Sequence, residues 1–315
     1  MVQIDSQLLL VSLAIIGISF LIDIVFGEPR NSAHPVVILG KIISFVEKPL
    51  RKMKNQVLGG ILLLAITEAL VLLILYVVLF LTGFIFVIYL IAAGFLLKTS
   101  FAMTSMGSHV DPIVRSLDSG DIESARRHLS LVVRRNTADL DLHGICSASI
   151  ETISEGFVDG FASPLFYFPY FKVFGAMFAR VTSTLDSTVG YKDDRNIRFG
   201  RASAVADTIV NYIPARLSGY VILLSSRLIT GRREKKSLAA ISRNTESKNA
   251  GWPMGAIAIG MGVRLEKHGS YILNDGGRNP EIHDVRTAMV IFYLSSFIFV
   301  LAFVIAPVLL LSIIL

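Results

Sequence analysis

The chain reads as an all-α, polytopic integral membrane protein, and three observations predict it. Its 315 residues are 53% hydrophobic and 17% charged, with a mean hydropathy of +0.64, whereas soluble domains carry about 25% charged residues. Apolar runs recur at lengths that suit helices crossing a hydrocarbon core, which takes about 20 residues. Between those runs, alternating β-branched patterns are scarce and helical starts are common.

The first span is placed at about residues 8–26. "MVQIDSQ" precedes it with Asp5 and neither Lys nor Arg, unlike the basic leader of a signal peptide. Val57 to Leu97 holds 41 residues whose only formal charge is Glu68. That is roughly two crossings, read as spans at 57–78 and 83–97 folded back at Leu81-Thr82-Gly83. The fourth span, 287–312, accommodates Pro307 near its far end. Orientation follows charge. Arg30, Lys41, Lys48, Arg51, Lys52 and Lys54 lie between spans one and two, and the turn between spans two and three is uncharged. The positive-inside rule puts the first loop in the cytoplasm and the amino terminus outside. "LVVRRNTADLD" and "ITGRREKKSLAAISRNTESK" fall on the cytoplasmic side by the same logic.

The expected organisation is one membrane domain, 1–315, with a cytoplasmic helical and re-entrant region at 98–286. Within it, Phe161–Ala179 carries Pro164, Pro169 and Lys172, and Leu217–Ile229 is short. Both suit re-entrant or interfacial helices; if both crossed, Arg180, Lys192, Arg195, Arg198 and Arg201 would lie outside, against the charge rule. "DSGDIESARRHLSLVV" has a helix-start signature, and an acidic helix follows from about Gly144. Cys146 is the sole cysteine, so no internal disulfide forms. The formal charge of +6 falls in blocks beside apolar spans, which fits membrane orientation and not a nucleic-acid partner.

Four segments carry candidate chemistry. In "SIETISEGFVDGFASPLF", Glu151, Glu155 and Asp159 are spaced by four, which on an α-helix puts them within about 80° of arc. Such a stripe needs cations, a metal or raised pKa values to offset its repulsion; a solvated helix face is the plain alternative. Next, Asp186, Asp193, Asp194 and Asp207 accompany Arg180, Arg195, Arg198, Arg201 and Arg216. Asp207 and Asn211 are four apart on a helix ending before Pro214, so their side chains meet. Arginine forks suit phosphate or carboxylate, with lipid anchoring as the alternative. In "NAGWPMGAIAIGMGVRL", Asn249, Gly251, Trp252 and Pro253 read as a turn with an aromatic tip, and Gly255, Gly260 and Gly262 permit close approach of a backbone or ligand. No dinucleotide fingerprint or Walker lysine is present. Last, "DIVFGEPRNSAHPVVILG" holds Asp23, Glu28 and His34, the histidine being either a ligand group or a hydrogen-bonded turn residue. Glu68 reads as the only acid deep in a span, a functional candidate or a protonated group bonding a neighbouring helix. No histidine or cysteine spacing suggests zinc.

"GEPRNSAHPV", "RRNTADLD", "ETISEGFVDGFASPLFY", "TLDSTVGYKDDR", "NYIPARL" and "NAGWPM" resemble, in order, signature segments of the adenosylcobinamide-phosphate synthases, membrane enzymes of cobalamin assembly. The similarity covers essentially the whole chain; Asn136, Gly156, Ala206 and Lys248 depart from the pattern. The resemblance implies ATP-dependent amide ligation of adenosylcobyric acid to aminopropanol phosphate or a related amino-alcohol phosphate, with Mg²⁺ as cofactor and ATP as co-substrate. It implies a multi-pass protein of the cell membrane with a cytoplasmic active site. Glu155 and Asp159, with Asp186, are the expected metal ligands. Arg134, Arg135, Arg195 and Arg216 are the expected phosphate contacts, and His34, Asn249 and Trp252 join them in substrate binding, the tryptophan and its glycine-rich neighbours facing the corrin ring. Glu151 or Asp207 is the expected general base, oriented by Asn211. The partners are the corrinoid and amino-alcohol phosphate substrates, membrane lipid and, as an option, a second copy of the chain, with no nucleic acid. A corrinoid transporter or non-catalytic scaffold is the alternative, which would call for buried ionisable groups in several spans and two related halves. All of this expects distant acids and guanidinium groups to share one wet pocket at the inner membrane face.

Overall fold

A computed structural model describes residues 6–27, 35–191, 193–233 and 236–314; His34 lies outside the described residues. The chain is helical in this order: α1 (Ser6–Phe26), α2 (Pro35–Leu50), α3 (Gln56–Thr82), α4 (Phe86–Ser100), α5 (Thr104–Asp118), α6 (Ile122–Ser130) and α7 (Leu142–Phe157). A π-turn at Val158–Ala162 leads to α8 (Ser163–Val189), α9 (Arg201–Val210), α10 (Tyr212–Thr230), the short α11 (Leu238–Ile241) and α12 (Gly251–Met261). A hairpin, β1 (Leu265–Lys267) and β2 (Tyr271–Leu273), precedes α13 (Ile282–Val300), a second π-turn at Leu301–Ile305 and α14 (Ala306–Ile314).

Four helical stretches are long and apolar enough to cross a membrane: Gln7–Phe26, Gln56–Thr82, Phe86–Asp118 and Ile282–Ile314. They match the four expected spans. Only 22% of the most apolar window in Gln56–Thr82 is buried inside the protein, so most of its leucines and valines are left for lipid to cover. The fold-back lies where the uncharged turn predicts it: α3 ends at Thr82, and the Gly83 amide closes onto the Leu79 and Phe80 carbonyls. At the other end of α3, the Asn55 side chain accepts from the Leu58 amide, satisfying one of the orphan donors of the first turn.

The chain divides into two compact units. Unit 1 comprises Met1–Ala102, Ser163–Asn211 and Leu301–Leu315, and unit 2 comprises Met103–Ala162 and Tyr212–Val300. In unit 1, α1 packs on α4, α2 on α3, and α8 on α3, α4 and α9. Helices associating in lipid need close backbones because apolar burial alone no longer separates them from the solvent. Gly94 of α4 meets that need: a Cβ there would sit 2.4 Å from Ile18 of α1. The same pair of helices is tied by Lys98 and Asp23, 3.0 Å apart with side chains only 4% and 0% exposed. Asp23 is therefore a buried, paired acid near the end of its span, and Glu68 stays the acid in the middle of one. Glu68 accepts from Thr182 of α8 at 2.8 Å, the helix-bonding alternative of its sequence reading. The weakly apolar stretch 161–179 lies mostly in α8, which is broken at Lys172 (φ 55°, ψ −146°), with the lysine Nζ donating to Ser12 at 3.0 Å.

In unit 2, α10 and α12 lie against one another, α7 packs on α12, α13 and β1, and α5 packs on α6 and α13. Asp121 caps α6 and Asp141 caps α7, their side chains accepting from the Ser124 and Gly144 amides. The far end of α7 is fixed by aromatics: Phe157 packs edge-on against Phe292 and Phe299, at 5.7 and 5.9 Å between centroids. Each such pair contributes about 0.5–1.5 kcal/mol beyond burial, so the helix carrying Glu151 and Glu155 is anchored at both ends. The segment read as a turn with an aromatic tip is the first turn of α12, with Pro253 where helices tolerate it. Its glycines serve packing and termination. A Cβ on Gly260 would lie 2.2 Å from Ser226 of α10, and Gly262 (φ 67°) caps α12 in the left-handed region.

Candidate functional site

Glu151 is the centre of a buried polar cluster in unit 2. Its side chain is nearly inaccessible, and three donors converge on it: Ser147 Oγ at 2.7 Å, Tyr271 Oη at 2.8 Å and Arg135 Nη2 at 3.4 Å. Four-residue spacing on α7 brings Ser147 under Glu151, and the β1–β2 hairpin brings Tyr271. Ser147 Oγ also accepts from the Glu266 amide at 2.9 Å, and Arg135 donates to the Glu266 carbonyl at 3.3 Å. Burial pushes the Glu151 carboxyl above its ordinary value, opposed by Arg135, Ser147 and Tyr271. Tyr271 is itself pushed up, first by burial and then by the charge of Glu151, and so stays a neutral donor. Three donors on two oxygens describe a carboxylate held in place.

Glu155, one turn further along α7, differs in every respect that matters chemically. Its side chain is exposed and accepts no hydrogen bond among the described residues. Partial loss of hydration beside the protein, with the negative charge of Glu151, pushes the carboxyl up to about 7 against the pull of Lys267 and Arg135. The exposure tempers the dehydration; the repulsion from Glu151 acts in the same direction regardless. A carboxyl that is exposed, raised above its ordinary value and free to be approached can take a proton from an arriving ligand.

Asp159 does not continue the α-helical stripe. It falls in the π-turn Val158–Ala162, whose wider turn breaks the 100° step on which the three-acid arc was built. Two polar cavities adjoin the Glu151 cluster. One of about 170 Å³ is bounded by His143, Ser147, Arg264 and Glu266 among others. Another of about 480 Å³ is bounded by Glu266, Lys267 and Tyr271 with Asn244 and Ser270.

Unit 1 holds the other acids. The cap of α9 works as the spacing predicts: Asn211 Nδ2 donates to Asp207 Oδ1 at 2.8 Å. Burial, followed by the charge of Asp186, pushes Asp207 up to about 7, against the Asn211 bond. Asn211 is 1% exposed, and its Oδ1 has no hydrogen-bond partner among the described residues. Arg195, in the same unit, is exposed, and its backbone carbonyl accepts from Arg51 at 2.8 Å.

Mg²⁺ takes oxygen ligands and commonly keeps several waters beside one or two carboxylates and substrate phosphates. Among the described residues no three His, Cys, Asp or Glu side chains gather into a set that could hold a metal ion. Two-carboxylate sets remain. Asp186 and Asp207 fit in donor chemistry, being hard oxygens that repel each other, with the orphaned buried Asn211 Oδ1 next to them. Glu151 fits poorly, since its oxygens are already occupied by Ser147, Tyr271 and Arg135.

The remaining expected contacts also divide. Arg134 is exposed in unit 2. Arg216 of α10 donates to Asn249 Oδ1 at 3.3 Å, its guanidinium lying 3.3 Å from the Tyr212 ring centre and 5.2 Å from that of Trp252. Sequence reasoning missed Tyr271, Lys267 and Ser147. The first two sit on three-residue strands, too short to show alternation; the glycine of "HGSY" was the available hairpin signal, and Gly269 is indeed in a left-handed turn (φ 72°). Ser147 was findable, four residues before Glu151 on the same face.

Residues 16–292 match the CobD/Cbib protein family. A probable cobalamin biosynthesis protein CobD of Thermoplasma volcanium is 44% identical over 283 residues, covering 90% of this chain and 93% of that protein. Cobalamin biosynthesis protein CobD of Pelobacter propionicus is 37% identical over 82% of this chain and 81% of its own length. The corresponding protein of Dehalococcoides mccartyi is 38% identical, with 84% and 87% covered. No solved structure matches. With a family match across most of its length and relatives well above 30% identity, the chain belongs to the CobD/Cbib protein family.

Proposed function

We propose that the protein works in cobalamin biosynthesis as an ATP-dependent ligase, joining a carboxylate of adenosylcobyric acid to the amine of aminopropanol phosphate or a related amino-alcohol phosphate at the cytoplasmic face of the cell membrane. Family membership and the names of the relatives support the pathway. The observation that carries the chemistry is Glu155: an exposed carboxyl one turn from Glu151, without a hydrogen-bonding partner among the described residues, raised to about 7.

Amide formation needs an activated acyl group and a deprotonated amine. In the proposed sequence, a carboxylate oxygen of the corrinoid attacks the terminal phosphorus of ATP, and ADP leaves. The amine then attacks the acyl phosphate carbonyl, inorganic phosphate departs, and the amine gives up a proton. Glu155 takes that proton, a role its sequence reading gave to Glu151 or Asp207. Glu151, fixed by three donors, holds Arg135 and Tyr271 in position and raises the proton affinity of Glu155 by its charge. Arg135 and Lys267 supply positive charge for phosphoryl oxygens. Arg134, Arg195, Arg216 and Asn249 remain proposed phosphate and substrate contacts. Mg²⁺, expected from the sequence on Glu155 and Asp159 with Asp186, is assigned instead to Asp186 and Asp207, which would hold it so that it neutralises phosphate charge when bound; Asn211 orients Asp207 through its amide. Asp159 remains a metal candidate in the π-turn.

The test is ATP hydrolysis to ADP and phosphate by detergent-solubilised protein, with and without each co-substrate. Ligation predicts turnover only when both the amine phosphate and the corrinoid carboxylate are present, with amide product in equal amount. Turnover without the amine, or corrinoid uptake into vesicles without ATP-dependent product, overturns it.

A further inference from the structure

A second concave site lies in unit 2, at the amino-terminal end of α12. A cavity of about 500 Å³ is bounded by Tyr212, Arg216, Arg243, Lys248 and Trp252, together with Ala239 and three hydroxyl residues. Among the described residues three cations line it and no carboxylate does. Its size falls in the range of small-molecule sites, roughly 300–1,000 Å³, which exceeds what a bare phosphate fills.

The hydroxyls shape the wall. Ser242 donates to the Ala239 carbonyl, Thr245 to the Ser247 carbonyl, and Ser247 Oγ accepts from the Asn249 and Ala250 amides. They fold the loop 242–250 on itself ahead of α12, and the cations are left to meet a ligand. Arg216 is held in place: it stacks at 3.3 Å on Tyr212, and its Nη1 donates to the Tyr212 carbonyl at 2.6 Å and to Asn249. Its Nε and Nη2 make no hydrogen bond among the described residues, and Arg243 and Lys248 have no ion pair among them. A guanidinium fixed by stacking has lost its rotamer freedom before the ligand arrives, which favours binding. The backbone amides opening α12 add partial positive charge at the same end.

We propose that this cavity binds the phosphate of a soluble phosphoester, with Arg216, Arg243 and Lys248 on the phosphate and the Trp252 and Tyr212 rings against its organic part. Arg243 and Lys248 thereby acquire a binding role that neither composition nor spacing suggested. The two phosphoesters in question, ATP and the amino-alcohol phosphate, rest on the ligase reading above. An anionic phospholipid headgroup offers the same phosphate chemistry, but lipid anchoring by basic and aromatic side chains requires no cavity.

Trp252 is the only tryptophan in the chain, so its fluorescence reports from the wall of the site. The protein, in neutral detergent, is titrated with ATP, with aminopropanol phosphate and with inorganic phosphate, and separately reconstituted with or without phosphatidylglycerol. The inference expects a saturable change in Trp252 emission with ATP or aminopropanol phosphate; whichever responds is the ligand. It expects an affinity weaker by about tenfold or more in an Arg243→Ala, Lys248→Ala double variant, because two charge-assisted contacts are lost. Arg227→Ala, outside the cavity on α10, should leave affinity unchanged. Absence of a saturable response, an unchanged affinity in the double variant, or a response to phosphatidylglycerol alone overturns it. The outcome separates from the ligase reading. Phosphoester binding that depends on Arg243 and Lys248 without any ligation sustains the site and removes the ligase, whereas normal ligation with unaltered KM for both phosphoesters in the double variant does the reverse.

Discussion

Two glutamates one turn apart on α7 have been given opposite environments. Glu151 is buried under donors from α7 itself, from β2 and from the loop carrying Arg135, and Glu155 is exposed with none among the described residues. A carboxylate saturated with hydrogen bonds is a structural anchor whose proton affinity serves no reaction. One pushed up by partial loss of hydration and a negative neighbour, yet reachable, is poised for proton transfer. The contrast says that the acidic stripe is not a shared charge reservoir. Its members divide the work, one positioning and one reacting, and substitutions should separate the two.

The largest effect expected is Glu155→Gln. Loss of a positioned proton acceptor costs about 10²- to 10⁴-fold in rate, measured as amide formation at saturating substrates. The melting temperature of the detergent-solubilised protein should not fall, because Glu155 makes no hydrogen bond among the described residues, and at pH 8 it should rise slightly as a carboxyl raised to about 7 is removed. Equal losses of rate and stability would erase the distinction from Glu151.

Glu151→Gln should show the inverse balance. It leaves Arg135 and Tyr271 beside a neutral amide in a buried cluster, an imperfectly satisfied arrangement that costs about 1–3 kcal/mol, read from thermal or denaturant unfolding. Tyr271→Phe should lose less, on the order of 1 kcal/mol, since one donor disappears and the other two remain. A Glu151→Gln variant as stable as the parent would mean that the donors are incidental.

The pattern of what the sequence disclosed has a physical basis. The four spans were legible because crossing a hydrocarbon layer demands length and apolarity from consecutive residues. The Asp207–Asn211 bond was legible because four-residue spacing on a helix guarantees proximity, and α7 begins at Leu142, close to the start read near Gly144. The three-acid arc failed at Asp159 because a π-turn leaves no mark on spacing alone. The Lys267 and Tyr271 contributions were hidden for a different reason: they reach α7 from more than 100 residues away, through strands of three residues. In the glycine-rich segment the sequence left a backbone or a ligand open; Gly260 is packed against Ser226, and nothing local distinguishes a glycine facing a helix from one facing a substrate.

A finer break in the comparison uses pH. If Glu155 must be deprotonated to act, the rate climbs as pH rises through about 7. Glu151→Gln removes the like charge that raises Glu155, so the acid limb of that profile should move to lower pH; Lys267→Met removes a charge that lowers it, so the limb should move to higher pH. Opposite shifts, each of a fraction of a unit to about one unit, would identify Glu155 as the titrating group, and shifts of the same sign would not.

The smallest expected effect concerns the other acid pair, in unit 1, where Asp207 is raised by burial and by Asp186 to about 7. An aspartate whose folded pKa exceeds its unfolded value favours the folded state fully only below the unfolded value of about 3.9. That contribution is lost as pH climbs through the folded value near 7. Stability should therefore fall between pH 4 and pH 8, and Asp207→Asn, which carries no charge to desolvate, should flatten the fall and unfold at a higher temperature than the parent at pH 8 but not at pH 4. Asp186→Asn should produce part of the same gain by removing the repulsion and leaving the burial. Mg²⁺ sharpens the case: if Asp186 and Asp207 hold the ion, added Mg²⁺ should raise the melting temperature of the parent at pH 8 and leave both variants unmoved. Should the variants respond to Mg²⁺ as the parent does, the pair is a structural strain of unit 1, and the metal belongs to other carboxylates.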